Sequence, residues 1–248
     1  MQFLSIPNLP DRKVGYVIVD YRTNKKIITS LEKQGITVFF SCKIDTLYDA
    51  VCGHPDMSIC HLGGADFVCE PSAYEYYSRT LTLPGINLIK GETRLTCTYP
   101  YDIAYNIAYV SGVVFHKKKY TDKTIAKNLN KAKFIDVSQG YSKCSTCIVA
   151  ENAIITDDDS IYAKAYENGI DALKIRKGVV ALKGFEYGFI GGATGLISND
   201  TLAITGNVEK HVDWVEIFDF CARKGVKVYT LTDDFPVDIG SIIPIAYA

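Results

Sequence analysis

Gly35-Ile-Thr-Val-Phe-Phe40, Gly85-Ile-Asn-Leu-Ile-Lys90, Lys131-Ala-Lys-Phe-Ile-Asp136, Gly169-Ile-Asp-Ala-Leu-Lys174 and Gly225-Val-Lys-Val-Tyr-Thr230 are five versions of one phrase. Each follows a segment with helical spacing and opens a short apolar strand. The phrase returns at intervals of about 40–55 residues, the range in which repetition marks a propeller, a solenoid or an array. The chain therefore reads as one unit used five times.

Working outward from each phrase gives the content of the unit. Val14 to Asp20 is a buried-strand run, and Asn24 to Gln34 carries Ile27, Ile28 and Leu31 at helical spacing before Gly35. The second unit predicts strands near 58–61 and 65–69 around Gly63-Gly64, then a helix from about Pro71 through Tyr77. In the third, strands over 103–110 and 113–116 flank a Ser111-Gly112 turn, and Thr121 or Asp122 caps the helix. The fourth has 146–150 and 153–156 about Glu151-Asn152, with a helix over 161–167. The fifth reads as strands over 188–192, 195–198 and 201–205, then a helix over 208–224. Asp238-Ile-Gly-Ser-Ile-Ile-Pro-Ile245 has no helix after it, and the N-terminal strand, helix and strand have no hairpin before them. Joined, the two ends make one complete unit, a closure that protects edge strands in circular β architectures.

Composition bounds the function. With 248 residues, 27 basic and 28 acidic side chains and a net charge of −1, the chain is long enough for a sizeable core and lacks the field that holds phosphate backbones. Nucleic acid is not an expected partner. Lys117-Lys118-Lys119 reads as a solvated hairpin edge. The opening MQFLSIPNLPDRK has no basic n-region and no sustained apolar stretch, so neither a secretion signal nor a membrane span is expected, and the expected location is the cytoplasm. Eight cysteines within apolar patterns read as reduced packing residues.

Five ββαβ units closed by the two termini resemble the pentein fold, the five-bladed α/β-propeller of arginine and agmatine deiminases, dimethylarginine hydrolases and amidinotransferases. The resemblance covers nearly the whole chain and implies a single domain over residues 1–248. It also implies that polar residues at the unit starts converge on a central pocket. The equivalent points are Gly53-His-Pro-Asp56, Tyr99-Pro-Tyr-Asp102, Gln139-Gly-Tyr-Ser-Lys-Cys144, Glu186-Tyr-Gly188 and Asp238-Ile-Gly-Ser241. By the resemblance, Asp56 and Asp102 stand where carboxylate forks grip a planar guanidinium. The chain departs from the family at two points. Ser142-Lys143-Cys144 replaces the histidine of the fourth unit, and no cysteine follows Cys221 where a nucleophile opens the last strand. Neither chain neighbour of Ser241 supplies it with a base.

Cys144 is the remaining nucleophile: it follows Lys143, opens a strand, and would face the same centre as His54, Asp56 and Asp102. A neighbouring ammonium or imidazolium lowers a thiol pKa. A Cys144–His54 pair with a carboxylate orienting the substrate would perform amidine or acyl transfer, a hydrolase or transferase acting on C–N bonds. Packing between blades is the other reading of Cys144, and the sequence leaves both open. Cys144-Ser-Thr-Cys147 has metal and redox spacing, but residues three apart in a strand face opposite ways and no second pair exists. No metal site and no cofactor is read from the sequence. His61 and His116 lie in strand patterns without ligand partners, and His211 falls on an amphipathic outer helix. Gly188 to Gly195 leads into a strand, so its glycines read as close packing at the propeller axis. Tyr99, Tyr101, Tyr141 and Tyr187 flank the convergence points and suit a cationic or polar ligand as well as half-buried packing.

Two functions follow. One is a protein that binds a small cationic, amidine-like or guanidine-like ligand in an acidic pocket, with Asp56, Asp102, Tyr141, Asp238 and Ser241 as binding residues and Cys144, His54 and Lys143 as catalytic ones. The other is a pentein without catalysis that serves as a ligand-binding or protein- and ribosome-interaction module. The partner expected is a small molecule, with no membrane, and oligomeric state is left open.

Overall fold

The computed structural model describes residues 1–110 and 112–248. The N-terminal part supplies β1 (Val14–Val19), α1 (Lys25–Lys33) and β2 (Thr37–Phe40). Asn24 stops the chain from entering α1 earlier because its Oδ1 accepts the Lys26 amide at 2.9 Å. Gly35 ends the turn with φ +71, the left-handed region that glycine enters without a Cβ clash. The buried face of α1, Ile27 and Leu31, packs on Val17 and Val19 of β1, each side chain contributing about 1.5–3 kcal/mol by leaving water.

The second unit comprises α2 (Pro55–Ser58), β3 (Ile59–Gly63), β4 (Asp66–Cys69), α3 (Tyr74–Thr80) and β5 (Asn87–Lys90). The third has β6 (Ala108–Val110), β7 (Val113–His116), α4 (Lys123–Asn128) and β8 (Lys133–Asp136), and the fourth β9 (Thr146–Ala150), β10 (Ala153–Thr156), α5 (Asp159–Glu167) and β11 (Asp171–Lys174). The fifth consists of β12 (Thr194–Ser198), β13 (Thr201–Ile204), α6 (Trp214–Arg223) and β14 (Lys227–Thr230), after which β15 (Ile243–Tyr247) ends the chain. Asp122 and Asp158 cap α4 and α5 through their Oδ1 atoms.

Every sheet has three strands in the same order: β15-β1-β2, β3-β4-β5, β6-β7-β8, β9-β10-β11 and β12-β13-β14. The first strand pairs antiparallel with the second, and the third returns parallel after the helix, as in Ile154 between Ile148 and Ala172. β15 pairs antiparallel with β1, so the two ends of the chain complete one blade. β12 lies against both β9 and β15, which sets the first strand of each sheet on the axis and the helices on the rim. The architecture is the five-bladed α/β-propeller of ββαβ units closed by the terminal segments.

Several expected boundaries move, each for a local reason. Only Ala108–Val110 of the 103–110 stretch is strand, because Asn106 N donates to Ile103 O and Ile107 N to Tyr105 O, coiling what precedes it. Glu70 accepts from the amides of Ser72 and Ala73, which delays α3 to Tyr74. Gly191–Ala193 is a 3-10 turn rather than strand. The 208–224 helix is a short turn over Val208–Lys210 followed by α6, and buried His211, in the break, accepts from Asp213 N at 3.0 Å. His211 is therefore not on an outer helix face. Lys118 and Lys119 lie in a 3-10 turn after β7, not on a hairpin edge. Ser111, half of the expected third-unit turn, lies outside the described residues. Among the described residues no helix is long and apolar enough to cross a membrane.

Candidate functional site

The site is built from what immediately precedes each axial strand. Ser241, Asn106, Cys144 and Gly192 stand two residues before β15, β6, β9 and β12, and Asp56 sits in the short α2 turn that leads into β3. Hydrogen bonds run between consecutive units around the full circle. Gly192 N donates to Cys144 O at 2.8 Å, Ser241 N to Gly192 O at 2.8 Å and Asp56 N to Gly240 O at 3.3 Å. Asn106 Nδ2 donates to Asp56 O at 3.4 Å, and Asn106 Oδ1 accepts from the amides of Lys143 at 2.8 Å and Cys144 at 3.2 Å. A closed circuit fixes five segments far apart in sequence around one axis.

The side chains inside this circuit form a buried cluster. Asp56 Oδ2 accepts from Cys144 Sγ at 3.1 Å and from Ser241 Oγ at 2.8 Å. Lys143 Nζ donates to Ser241 Oγ at 2.9 Å, and Asn106 Nδ2 donates to Cys144 Sγ at 3.1 Å. Ser241 holds φ +77, an uncommon conformation for a residue with a side chain. Glycines make room: a Cβ on Gly192 would fall 1.9 Å from Asp238 Oδ1, and one on Gly191 2.4 Å from the carbonyl oxygens of Lys143 and Thr146. Close packing, not phosphate binding, accounts for the 188–195 glycines.

Next to the cluster is a cavity of about 330 Å³ whose wall includes Tyr48, His54, Tyr141, Cys144, Phe189 and Asp238. It shares Tyr48, His54, Leu182, Phe185 and Asp238 with an outer cleft of about 1130 Å³ that also reaches Asp20, Arg22, Lys43 and Lys183. Asp238 is held by the amides of Phe189 and Gly240, both at 2.9 Å. His54 Nδ1 lies 3.7 Å from Asp238 Oδ1, too far for a hydrogen bond, and has no partner among the described residues.

Burial sets the protonation of the cluster. It pushes Asp238 up to about 6 and raises Asp56, against the opposing pull of His54 and Lys143 on the latter. It lowers His54, which is a neutral imidazole at pH 7. Cys144 is raised well above the usual thiol range by burial first and then by the charges of Asp56 and Asp238. The sequence expectation that Lys143 would lower this thiol is corrected, because the ammonium is directed at Ser241 while carboxylates face the sulfur. Cys144 also precedes β9 rather than opening it.

The structure thus brings Cys144, His54, Asp56, Lys143, Asp238 and Ser241 to one place. Asp102 stands apart from that cluster: fully buried, it accepts the hydroxyls of Tyr48 at 2.6 Å and Tyr141 at 2.5 Å and does not line the cavity. Burial, and then these bonds, push Tyr48 up to about 12 and raise Tyr141 further. Tyr99 and Tyr101 are exposed at 43% and 58%, and Tyr187 is in the cavity wall. His61 bonds Gly64 O and stacks on Phe67, and His116 bonds Thr121 and Ile103 O, both as packing residues. Sequence reasoning missed Asn106, Tyr48 and Phe189. Asn106 had a usable signal in sharing with Cys144 and Ser241 the position two residues before an axial strand, which a correct start for β6 would have revealed.

Residues 18–243 match the model of a family described as "Family of unknown function (DUF6873)". The chain belongs to that family. A search of curated proteins gives no match for this DUF6873 chain. Among solved structures it is similar to inosamine-phosphate amidinotransferase from Streptomyces griseus, with TM-score 0.61, 10% identity, and coverage of 99% of this chain and 97% of that one. It is also similar to an amidinotransferase of the saxitoxin biosynthetic pathway from Microseira wollei, with TM-score 0.56, 11% identity, and coverage of 94% and 92%. Agmatine deiminase from C. jejuni gives TM-score 0.55 and 10% identity over 94% and 90%. These are pentein folds, and at such identity the likeness shows the fold alone. The DUF6873 chain has the pentein fold, with Asp238 to Ser241 and no cysteine leading into its last strand.

Proposed function

We propose that the cavity beside Asp56 and Asp238 binds a small cationic ligand of the amidine or guanidine class, and that Cys144 transfers its amidino group. The observation that carries this reading is the charge of the cluster: two buried carboxyl groups, Asp56 and Asp238, against one buried ammonium, Lys143. Burial raises both carboxyls, and a monocation in the cavity would favour their ionised forms. Aromatic faces of Tyr48, Tyr141 and Phe189 supply the remaining wall for a flat cation. Asp102 serves by holding Tyr48 and Tyr141 in place.

The same cation would lower the Cys144 thiol. The S–H proton passes to Asp56 Oδ2, the sulfur adds to the central amidino carbon, and the C–N bond to the leaving amine breaks as that amine takes the proton from Asp56. The products are a free amine and an S-amidino-cysteine, which water or an acceptor amine resolves. His54, neutral and in the cavity wall, takes the proton from that second nucleophile. Lys143, through Ser241, favours the ionised form of Asp56.

One observation favours binding without turnover: Cys144 is 2% exposed and its thiol is neutral at rest. Calorimetry with benzamidine and agmatine, combined with mass-spectrometric detection of a released amine, separates the readings. Asp238→Asn is expected to weaken binding at least tenfold. Cys144→Ala is expected to keep affinity and abolish any turnover. If neither compound binds the wild type at millimolar concentration, the pocket assignment is wrong.

A further inference from the structure

We infer that His54, Asp56 and Cys144 form a site for a thiophilic divalent metal ion of the zinc class, with Asp238 as the fourth ligand. One donor atom from each of the first three lies within 4.8 Å of the other two. All three residues are 2% exposed. His54 Nδ1 and Asp56 Oδ1 have no hydrogen-bond partner among the described residues, which is costly for polar atoms at this depth, so the imidazole and the carboxyl each keep an unmet polar atom that an ion would satisfy. The inference goes beyond the amidine reading and does not depend on it.

The geometry is close to what zinc needs. Tetrahedral zinc with nitrogen, oxygen and sulfur ligands at about 2.0–2.3 Å sets ligand atoms about 3.3–3.8 Å apart. Cys144 Sγ and Asp56 Oδ2 are 3.1 Å apart, and His54 Nδ1 and Asp238 Oδ1 are 3.7 Å apart. Within the His54, Asp56 and Cys144 triad no separation exceeds 4.8 Å, so those three atoms need contract by about 1 Å or less on a backbone held by the axial circuit. Gly240 at φ +67 lets the chain press on His54, where a Cβ would come 2.3 Å from the imidazole-bearing carbon.

Charge and donor type select the ion. A thiolate, an imidazole and carboxylates favour zinc over magnesium or calcium, which take oxygen ligands. Binding replaces the Cys144 S–H proton by a metal–sulfur bond, and that proton leaves to solvent together with any the two carboxyls hold. The filled site then holds the thiolate, Asp56 and Asp238 against the dication and the Lys143 ammonium, so the buried charges cancel. A metal ion and an amidinium would exclude one another.

The test uses the full chain freed of metal by chelation and exchanged into Co²⁺ or Zn²⁺ buffer. The expected result is one equivalent bound, with a near-ultraviolet thiolate-to-cobalt charge-transfer band and proton release on zinc binding. Cys144→Ala should lose the band, His54→Ala should bind about 10- to 100-fold more weakly, and Cys147→Ser, outside the cluster, should match the wild type. Circular dichroism checks that each variant folds; should Cys144→Ala not fold, the wild-type cobalt spectrum decides by itself. A folded wild type without the thiolate band, or equal zinc affinity in folded Cys144→Ala, overturns the proposal. Benzamidine calorimetry on metal-free protein scores the amidine reading separately.

Discussion

Lys143 Nζ and Ser241 Oγ meet at 2.9 Å across 98 residues of chain, tying the start of the fourth unit to the last strand. Ser241 also donates to Asp56 and lies 2.9 Å from Gly191 O, so one hydroxyl couples four units. It does so from a left-handed backbone, φ +77. Replacing it separates the two contributions. Ser241→Ala and Ser241→Gly both lose the hydroxyl, at about 1–3 kcal/mol, but only glycine relieves the backbone, by about 1 kcal/mol. Urea unfolding should therefore rank wild type above Ser241→Gly and Ser241→Gly above Ser241→Ala. Equal stability of the two variants would show that the backbone there is unstrained.

Gly192 and Asp238 are in a tighter relation. A Cβ at 192 falls 1.9 Å from Asp238 Oδ1 and 2.3 Å from its Cγ, so Gly192→Ala must displace the carboxylate that lines the cavity. The expected cost is about 3 kcal/mol or more, together with loss of benzamidine binding. Gly169→Ala is the control, since its Cβ meets nothing within 4 Å and the residue only carries φ +71. That variant should lose about 1 kcal/mol and keep any ligand affinity. Melting temperatures and calorimetry on the pair check both statements.

The five-fold repeat was legible because it rests on local chemistry. Gly35, Gly85, Gly169 and Gly225 all hold positive φ at the turn from helix to parallel strand, and Asn24, Asp122 and Asp158 cap where side-chain oxygens follow turns. The closure of β15 on β1 was legible as well, because two incomplete units at opposite ends had a single way to complete each other. The chemistry of the centre was less so. Ser241 reads as a serine without a base because its partner is Lys143, and no spacing rule links them. Lys143 beside Cys144 reads as activating, yet both lie in the turn before β9, from which the ammonium reaches Ser241 and the sulfur meets Asp56. Asp102 reads as a ligand for a cation because its blade position is right; two tyrosyl hydroxyls from other segments claim it.

Cysteine reactivity reports directly on the centre. Cys97 is exposed, whereas Cys144 is 2% exposed with its S–H held by Asp56. The thiolate is the nucleophile towards an alkylating reagent, so burial and protonation slow Cys144 together. Timed iodoacetamide labelling at pH 8 with peptide mass spectrometry should modify Cys97 first and Cys144 at least about 100-fold more slowly. Comparable rates at the two sites would mean that the centre opens readily to solvent.

His116 provides a test of the fold at a distance from the cavity. It is fully buried between Thr121 Oγ1 at 2.7 Å and Ile103 O at 3.1 Å, and burial lowers it to about 4 from an ordinary 6.5. Because the folded pKa lies below the unfolded one, the unfolded chain takes up this proton first as the solution is acidified. The stability His116 contributes is therefore complete above about pH 6.5 and is lost progressively down to about pH 4. A shift of this size corresponds to about 3 kcal/mol. His61, also lowered to about 4, and Asp157 and Asp238, both raised to about 6, titrate in the same interval, the acids with opposite sign. Comparison with His116→Gln at each pH cancels their contributions. The variant should be destabilised relative to wild type at pH 7.5, and the gap should narrow by about 2–3 kcal/mol as pH falls to 4. A gap that stays constant across that range would place the imidazole in contact with water and contradict its burial at the end of β7.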